Sequence, residues 1–337
     1  MREEDNVTAP ARVTSGVLLG GLGVLAFSLT LPVTRFSVAF LDPWFISFGR
    51  AAVAGVLAIA YLALSGLPRR VGGQTPGGGQ ALVTAYAEPL SAAIQSVSVL
   101  AERPAAWIQW PTVAQLRRLV VVACGVVIGF PVLTSIALTQ ATAAHGAVVI
   151  ALLPAVTAVF AVVRGGERPS PKFWLAAGAG FAAVLVFVAV SGGMAGGFRI
   201  ADLWFLAAVV VCALGYAEGG ALARELGGAR TICWALILAL PVTIPVAILS
   251  AHGLDAAPAV AWAGFAYVAV ISQFLGFFAW YAGLARGGVA RIGQVQAVQP
   301  VLTLAWSALL LGEHVDVVTV VVAVVVLGCV VLTQRAR

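Results

Sequence analysis

Residues 154–168 read PAVTAVFAVVRGGER, and residues 300–314 read PVLTLAWSALLLGEH. The offset is 146 residues, and it superposes Pro154 on Pro300, Thr157 on Thr303, Phe160 on Trp306, Gly166 on Gly312 and Glu167 on Glu313. The same phrase, a proline followed by an apolar run and a Gly-Glu, is thus written once in each half of the chain. Self-similarity at a fixed period constrains the whole fold.

The composition says what kind of fold is duplicated. Of 337 residues 61% are hydrophobic and only 9% charged, far below the roughly 25% charged residues of soluble domains. Apolar stretches long enough to cross a bilayer as helices recur along the chain. Ten spans are expected, at about 13–33, 43–65, 118–138, 144–163, 173–191, 201–222, 231–250, 259–282, 290–311 and 315–334. The first is read as a retained helix, since no small-residue cleavage site follows it. The chain therefore divides into a cytoplasmic tail (1–12), a first five-helix unit (13–191) and a second (201–334).

Basic residues fix the expected orientation. With the N-terminus inside, sixteen of the nineteen Lys and Arg fall in cytoplasmic tails and loops, two (Arg35 and Arg199) in outer loops, and Arg50 within a span. Cytoplasmic loops carry the Lys/Arg excess, so both termini are expected in the cytoplasm. The net charge of +6 then reports topology and contact with anionic lipid, not nucleic acid. Five spans per half is an odd number, so the second half enters the membrane from the opposite side. Inverted halves of this kind are a common architecture of secondary transporters, with the substrate site near mid-membrane between them. The paired prolines suit such a site, because each removes a helix hydrogen bond and the freed carbonyl needs protein or a wet cavity around it. Purely structural kinks are the other reading.

Beyond the repeat, five stretches resemble the drug/metabolite transporter superfamily, in particular its EamA-type ten-helix members: FGRAAVAGVLAIA (48–60), the repeat ends HGAVVIALLPAVTAVFAVVRGGERPSPKFW (145–174) and GQVQAVQPVLTLAWSALLLGEHVD (293–316), LGYAEGGALARELGG (214–228) and SQFLGFFAWYAGLARG (272–287). The resemblance covers nearly the whole chain outside the tail and about residues 71–105. It implies an inner-membrane carrier, usually an exporter of small metabolites, with a pocket lined by spans 1, 3, 4, 6, 8 and 9. An amino-acid-like or other small organic solute is the expected substrate. Many members have tryptophan near the end of span 1 where this chain has Phe27.

The loop between spans 2 and 3 departs from a short connection. After the Gly-rich VGGQTPGGGQ (71–80), Leu82, Val83, Tyr86, Leu90, Ile94, Val97 and Leu100 recur at helical spacing. A short amphipathic helix on the cytoplasmic leaflet and an insertion without regular structure are both consistent with this.

Polar groups within spans are few, and each is a functional candidate. Gln296, Gln299, Thr303 and Ser307 step by three, four and four, a single polar stripe on span 9. It either faces a pocket or joins helices, and the resemblance favours the pocket. Gln273, Trp280 and Tyr281 on span 8 and Tyr216 on span 6 are companion candidates, although Tyr281 also fits an interfacial aromatic belt. Glu218 is the one acid within a span. It either pairs with an inner-loop arginine such as Arg291, or carries a proton or meets a cationic substrate. Arg50 is expected to pair with carbonyls, with substrate contact the alternative, and His145 is expected to be a surface histidine without a role. Pairs of small residues (Gly16/Gly20, Gly125/Gly129, Gly215/Gly219) suit close helix packing.

No catalytic residues, cofactor or metal are expected. The four cysteines lie within spans without metal spacing, and no phosphate-binding loop is present. A membrane-embedded enzyme would need a positioned acid–base or metal set that one acid and one base on different spans do not make. A lipid or lipid-linked-sugar translocator is the closer alternative. Expected partners are a small-molecule substrate, membrane lipid and, as an option, a second copy of the chain.

Overall fold

The structure is a computed structural model describing residues 4–65, 110–165, 170–191 and 199–335. The insertion at 71–105 and Glu167 lie outside these residues, and so does the side chain of Arg291. Among the described residues every regular element is a helix, and the helices group into ten spans. Seven runs are long and apolar enough to cross a membrane: Thr14–Ser37, Pro43–Ser65, Val113–Gln140, Ala143–Val163, Ile200–Leu226, Gly228–Leu249 and Ala259–Gly287. Shorter apolar runs, Trp174–Val184, Gln299–Leu311 and Val317–Cys329, form the cores of spans 5, 9 and 10. The chain is an all-α integral membrane protein of two inverted five-helix repeats.

Helix ends carry local signals that single residues explain. Thr112 and Gln115 form a reciprocal capping box at the start of span 3, and the Thr142 hydroxyl accepts the His145 N–H at the start of span 4. Asp42 accepts the N–H groups of Trp44 and Phe45 at span 2. In the loop before span 10, Asp316 accepts the Thr319 N–H, and that bond holds its carboxyl below the usual carboxylate range. The connections between spans 6 and 7 and between spans 8 and 9 are single glycines, Gly227 and Gly288, with φ of 85° and 80°, a conformation costly for any other residue.

The duplication is exact to the residue in spans 4 and 9. Span 4 is Ala143–Ile150, a two-residue break, then Leu153–Gly165; span 9 is Val289–Gln296, a two-residue break, then Gln299–Leu311. Every boundary is shifted by the 146 residues of the sequence repeat. The cause is covalent: Pro154 and Pro300 have no N–H to give to the carbonyls of Ile150 and Gln296, four residues earlier. Span 1 breaks the same way at Leu29, where Pro32 deprives the Ser28 carbonyl. Spans 3 and 8 share a different irregularity, a wide π-helical stretch at Ala123–Gly129 and at Tyr267–Gly276.

Packing repeats the same relation. Span 2 lies on span 7, span 5 on span 10 and span 4 on span 9, while span 1 packs on span 8 as span 6 packs on span 3. The last two pairs come close through glycine. A Cβ on Gly283 would lie 2.8 Å from the backbone nitrogen of Gly20, and one on Gly125 would run into the Val211 carbonyl and 3.1 Å from Gly215 Cα. Lipid tails are as apolar as leucine, so such close backbone contact, not hydrophobic burial, holds helices together here.

Candidate functional site

The two broken helices cross where their breaks coincide. A narrow cleft lies there, with about one water molecule's worth of open space in this conformation. Span 4 contributes Ala147, Ile150 and Pro154, span 9 contributes Gln296, Gln299, Pro300 and Thr303, and span 1 adds Leu31. Both repeat prolines therefore line one site, and so do three of the four stripe residues. Ser307 is buried one turn further along.

The polar groups in the cleft divide into spent and unspent. Thr303 is spent: its hydroxyl donates at 2.8 Å to the Ser28 carbonyl, the acceptor that Pro32 deprives of its helix donor. The neighbouring Trp306 indole N–H donates to the Ser28 hydroxyl at 3.1 Å. By contrast, Gln296 and Gln299 are 2% and 7% exposed, yet among the described residues neither amide atom of Gln296 has a hydrogen-bond partner, nor has Gln299 Oε1. Unsatisfied buried polar atoms are costly and call for an explanation. The Tyr216 hydroxyl faces the Gln296 amide without closing a hydrogen bond on it.

Behind the cleft stands an aromatic cluster. Trp280 packs on Tyr216 with ring centroids 5.3 Å apart, Phe27 lies 4.9 Å from Phe277 and 6.2 Å from Trp280, and Tyr281 lies 5.4 Å from Phe277. Tyr281 is wholly buried, with its hydroxyl toward the Gly215 carbonyl at 3.4 Å, and so is no part of an interfacial belt. Tyr216 and Trp280 are thus a wall one layer behind Gln296, and Phe27 belongs to that wall.

Gln273 is engaged elsewhere. Its Oε1 accepts both Nε and Nη2 of Arg50, at 3.1 and 2.7 Å, and its Nε2 reaches the Val126 carbonyl at 3.4 Å. Arg50 is 2% exposed and donates to the side-chain carbonyl oxygen of Gln273, which links it to the π-helical stretch of span 3.

Glu218, fully buried, is paired with Arg118 at 2.9 Å. Arg118 also holds Glu225 at 2.7 Å, which in turn accepts from Gln115 at 3.0 Å. Glu218 and Glu225 are seven residues apart, two helical turns on one face of span 6, so one arginine from span 3 bridges both. At the other end of the bundle, His145 binds the buried Asp202 at 2.5 Å, and the histidine expected to be idle ties span 4 to span 6.

The Gly-Glu of the repeat has a role at that same end. Gly312 closes span 9 in the left-handed conformation (φ 62°), and Glu313 then receives the first two free N–H groups of span 4, from Ala143 at 2.9 Å and Ala144 at 2.8 Å. A carboxylate at a helix N-terminus satisfies orphan donors and meets the positive end of the dipole.

Comparison with known proteins agrees with this architecture. The EamA-like transporter family matches residues 105–189 and 199–334, one segment in each half. The chain belongs to the EamA-like transporter family. It is 40% identical over 325 residues to the uncharacterized transporter YdeK of Bacillus subtilis (strain 168), an alignment covering 96% of this chain and 98% of the relative. A protein of known crystal structure superposes with a TM-score of 0.59 over 95% of this chain and 96% of its own length. At 17% identity that likeness speaks for the fold alone. As a member of the family, the chain is an integral membrane protein of transporter type.

Proposed function

We propose that this EamA-family protein is a secondary transporter that moves a small organic solute, in the export direction, across the inner membrane by alternating access, with both termini in the cytoplasm. The observation that carries the reading is the cleft itself. Two proline-broken helices, equivalent under the repeat, meet across the pseudo-two-fold axis, and buried amide atoms without partners face the space between them. Regular helix offers a solute no backbone groups, whereas broken helices at mid-membrane do.

The cross-repeat contacts supply a gate. Glu313 ties the loop after span 9 to the first turn of span 4, and His145 ties span 4 to span 6. Parting spans 4 and 9 at that end breaks the Glu313 contacts, and moderate, replaceable hydrogen bonds suit a contact made and broken in every cycle. The two charges within spans hold separate partners, Arg50 with Gln273 and Glu218 with Arg118. That arrangement suits a carrier better than an acid–base enzyme.

The test is a metabolite profile of cells that over-express the wild-type chain or Ala147→Phe, which fills the cleft. The reading expects one or a few small solutes to accumulate in the medium with the wild type only. Identical profiles for both, with both proteins in the membrane, would refute it.

A further inference from the structure

The cleft is polar on one side only, and the repeat shows how. Position 150 of the first half corresponds to position 296 of the second; the first carries isoleucine and the second glutamine. The equivalent pair 153 and 299 carries leucine and glutamine. Span 4 and span 1 therefore offer the cleft an apolar wall of Ala147, Ile150 and Leu31, while span 9 offers Gln296 and Gln299. None of the lining residues is ionisable. The buried charges nearby are engaged with other side chains: Arg50 with Gln273, and Glu218 with Arg118.

The unpartnered atoms define a complement. Gln296 Oε1 and Gln299 Oε1 are two acceptors, and Gln296 Nε2 is one donor group. A ligand that satisfies all three presents N–H donors beside an acceptor, as a primary carboxamide does. A carboxylate has no donor and an ammonium group no acceptor. Either would also enter a low-dielectric site without a counter-charge, which is costly. We infer that the cleft recognises a solute with an uncharged, carboxamide-like edge, held by Gln296 and Gln299, and an apolar body that lies against Ile150, Ala147 and Leu31. This rests on the reading of the cleft as the solute site, and it disfavours a free amino-acid zwitterion.

Benzamide, benzoate and benzylamine share one apolar body and differ in the edge, so they serve as probes. Their binding to the purified full-length protein in detergent can be measured from the rise of the thermal unfolding midpoint with ligand concentration. Benzamide is expected to bind at least tenfold more tightly than the other two, and Gln296→Leu to weaken it by about 5- to 150-fold, the effect of leaving a buried polar group unmet. Equal or tighter binding of benzoate or benzylamine, no binding of any probe, or unchanged benzamide binding in Gln296→Leu would overturn the inference. The Ala147→Phe metabolite profile separates the two claims. If it loses the wild-type solutes while benzamide fails to bind, the cleft stands and the carboxamide edge falls. A wild-type profile in Ala147→Phe removes the cleft reading itself.

Discussion

Thr303 repairs on one span the hydrogen bond that Pro32 removes on another. Replacing it with valine strands a buried carbonyl, at a cost of about 1–3 kcal/mol. Thr303→Val is therefore expected to lower the thermal midpoint by several degrees and Thr303→Ser to restore it; equal midpoints for wild type and Thr303→Val would contradict this role. Glu218 offers a second test, of energy coupling. If Glu218 carries a proton through the cycle, Glu218→Gln retains solute exchange in reconstituted vesicles but loses the pH dependence of net flux. Wild-type pH dependence in that variant would leave Glu218 as the structural partner of Arg118. The stripe Gln296, Gln299 and Thr303 was legible in the sequence because polar residues at helical spacing stand out against Val, Leu and Ala. The partners of Gln273, Glu218 and His145 were not, because each lies on another span tens to hundreds of residues away, and a single sequence carries no distance information between spans.

The Gly-Glu pair is the clearest case of a local signal with a remote purpose. Its recurrence marked the ends of the repeat, but only the packing of span 9 beside span 4 shows that the glutamate caps a helix of the other half. Loss of a cap costs about 0.5–2 kcal/mol. Glu313→Ala is accordingly expected to loosen the outer end of the cleft and to raise the rate at which an impermeant thiol reagent labels Ala147→Cys from outside, in a cysteine-free background. A labelling rate equal to that of the same cysteine with Glu313 intact would show that the contact closes nothing. The prolines signalled broken helices correctly, since a missing N–H is a covalent property. The π-helical stretches of spans 3 and 8 were not foreseen, because no single residue type produces them.

Ten spans, their order and their pairing into inverted halves follow from apolar length, charge placement and the 146-residue repeat, and the contacts agree with them. Ala143, Asp202 and Glu313, all placed at the outer side by the ten-span order, converge at one end of the bundle, while Gln115, Arg118 and Glu225 converge at the other. The orientation of that bundle is testable directly: single cysteines at position 172 are expected to be protected from outside and those at the exposed position 255, between spans 7 and 8, to be labelled, and the reverse pattern would invert the topology. The insertion is a separate matter. Deleting about residues 73–102 is expected to leave membrane insertion and transport intact, because both five-helix halves remain; loss of inserted protein would show that the segment packs on the bundle. The central claim, that the cleft between spans 4 and 9 opens alternately to the two sides, is tested most directly by one cysteine at position 147 in a chain without its native cysteines. Impermeant thiol reagent is applied to right-side-out and to inside-out vesicles. Alternating access predicts labelling in both, at rates that change in opposite directions when Glu313→Ala is added; labelling from one side only, whatever the variant, would contradict it.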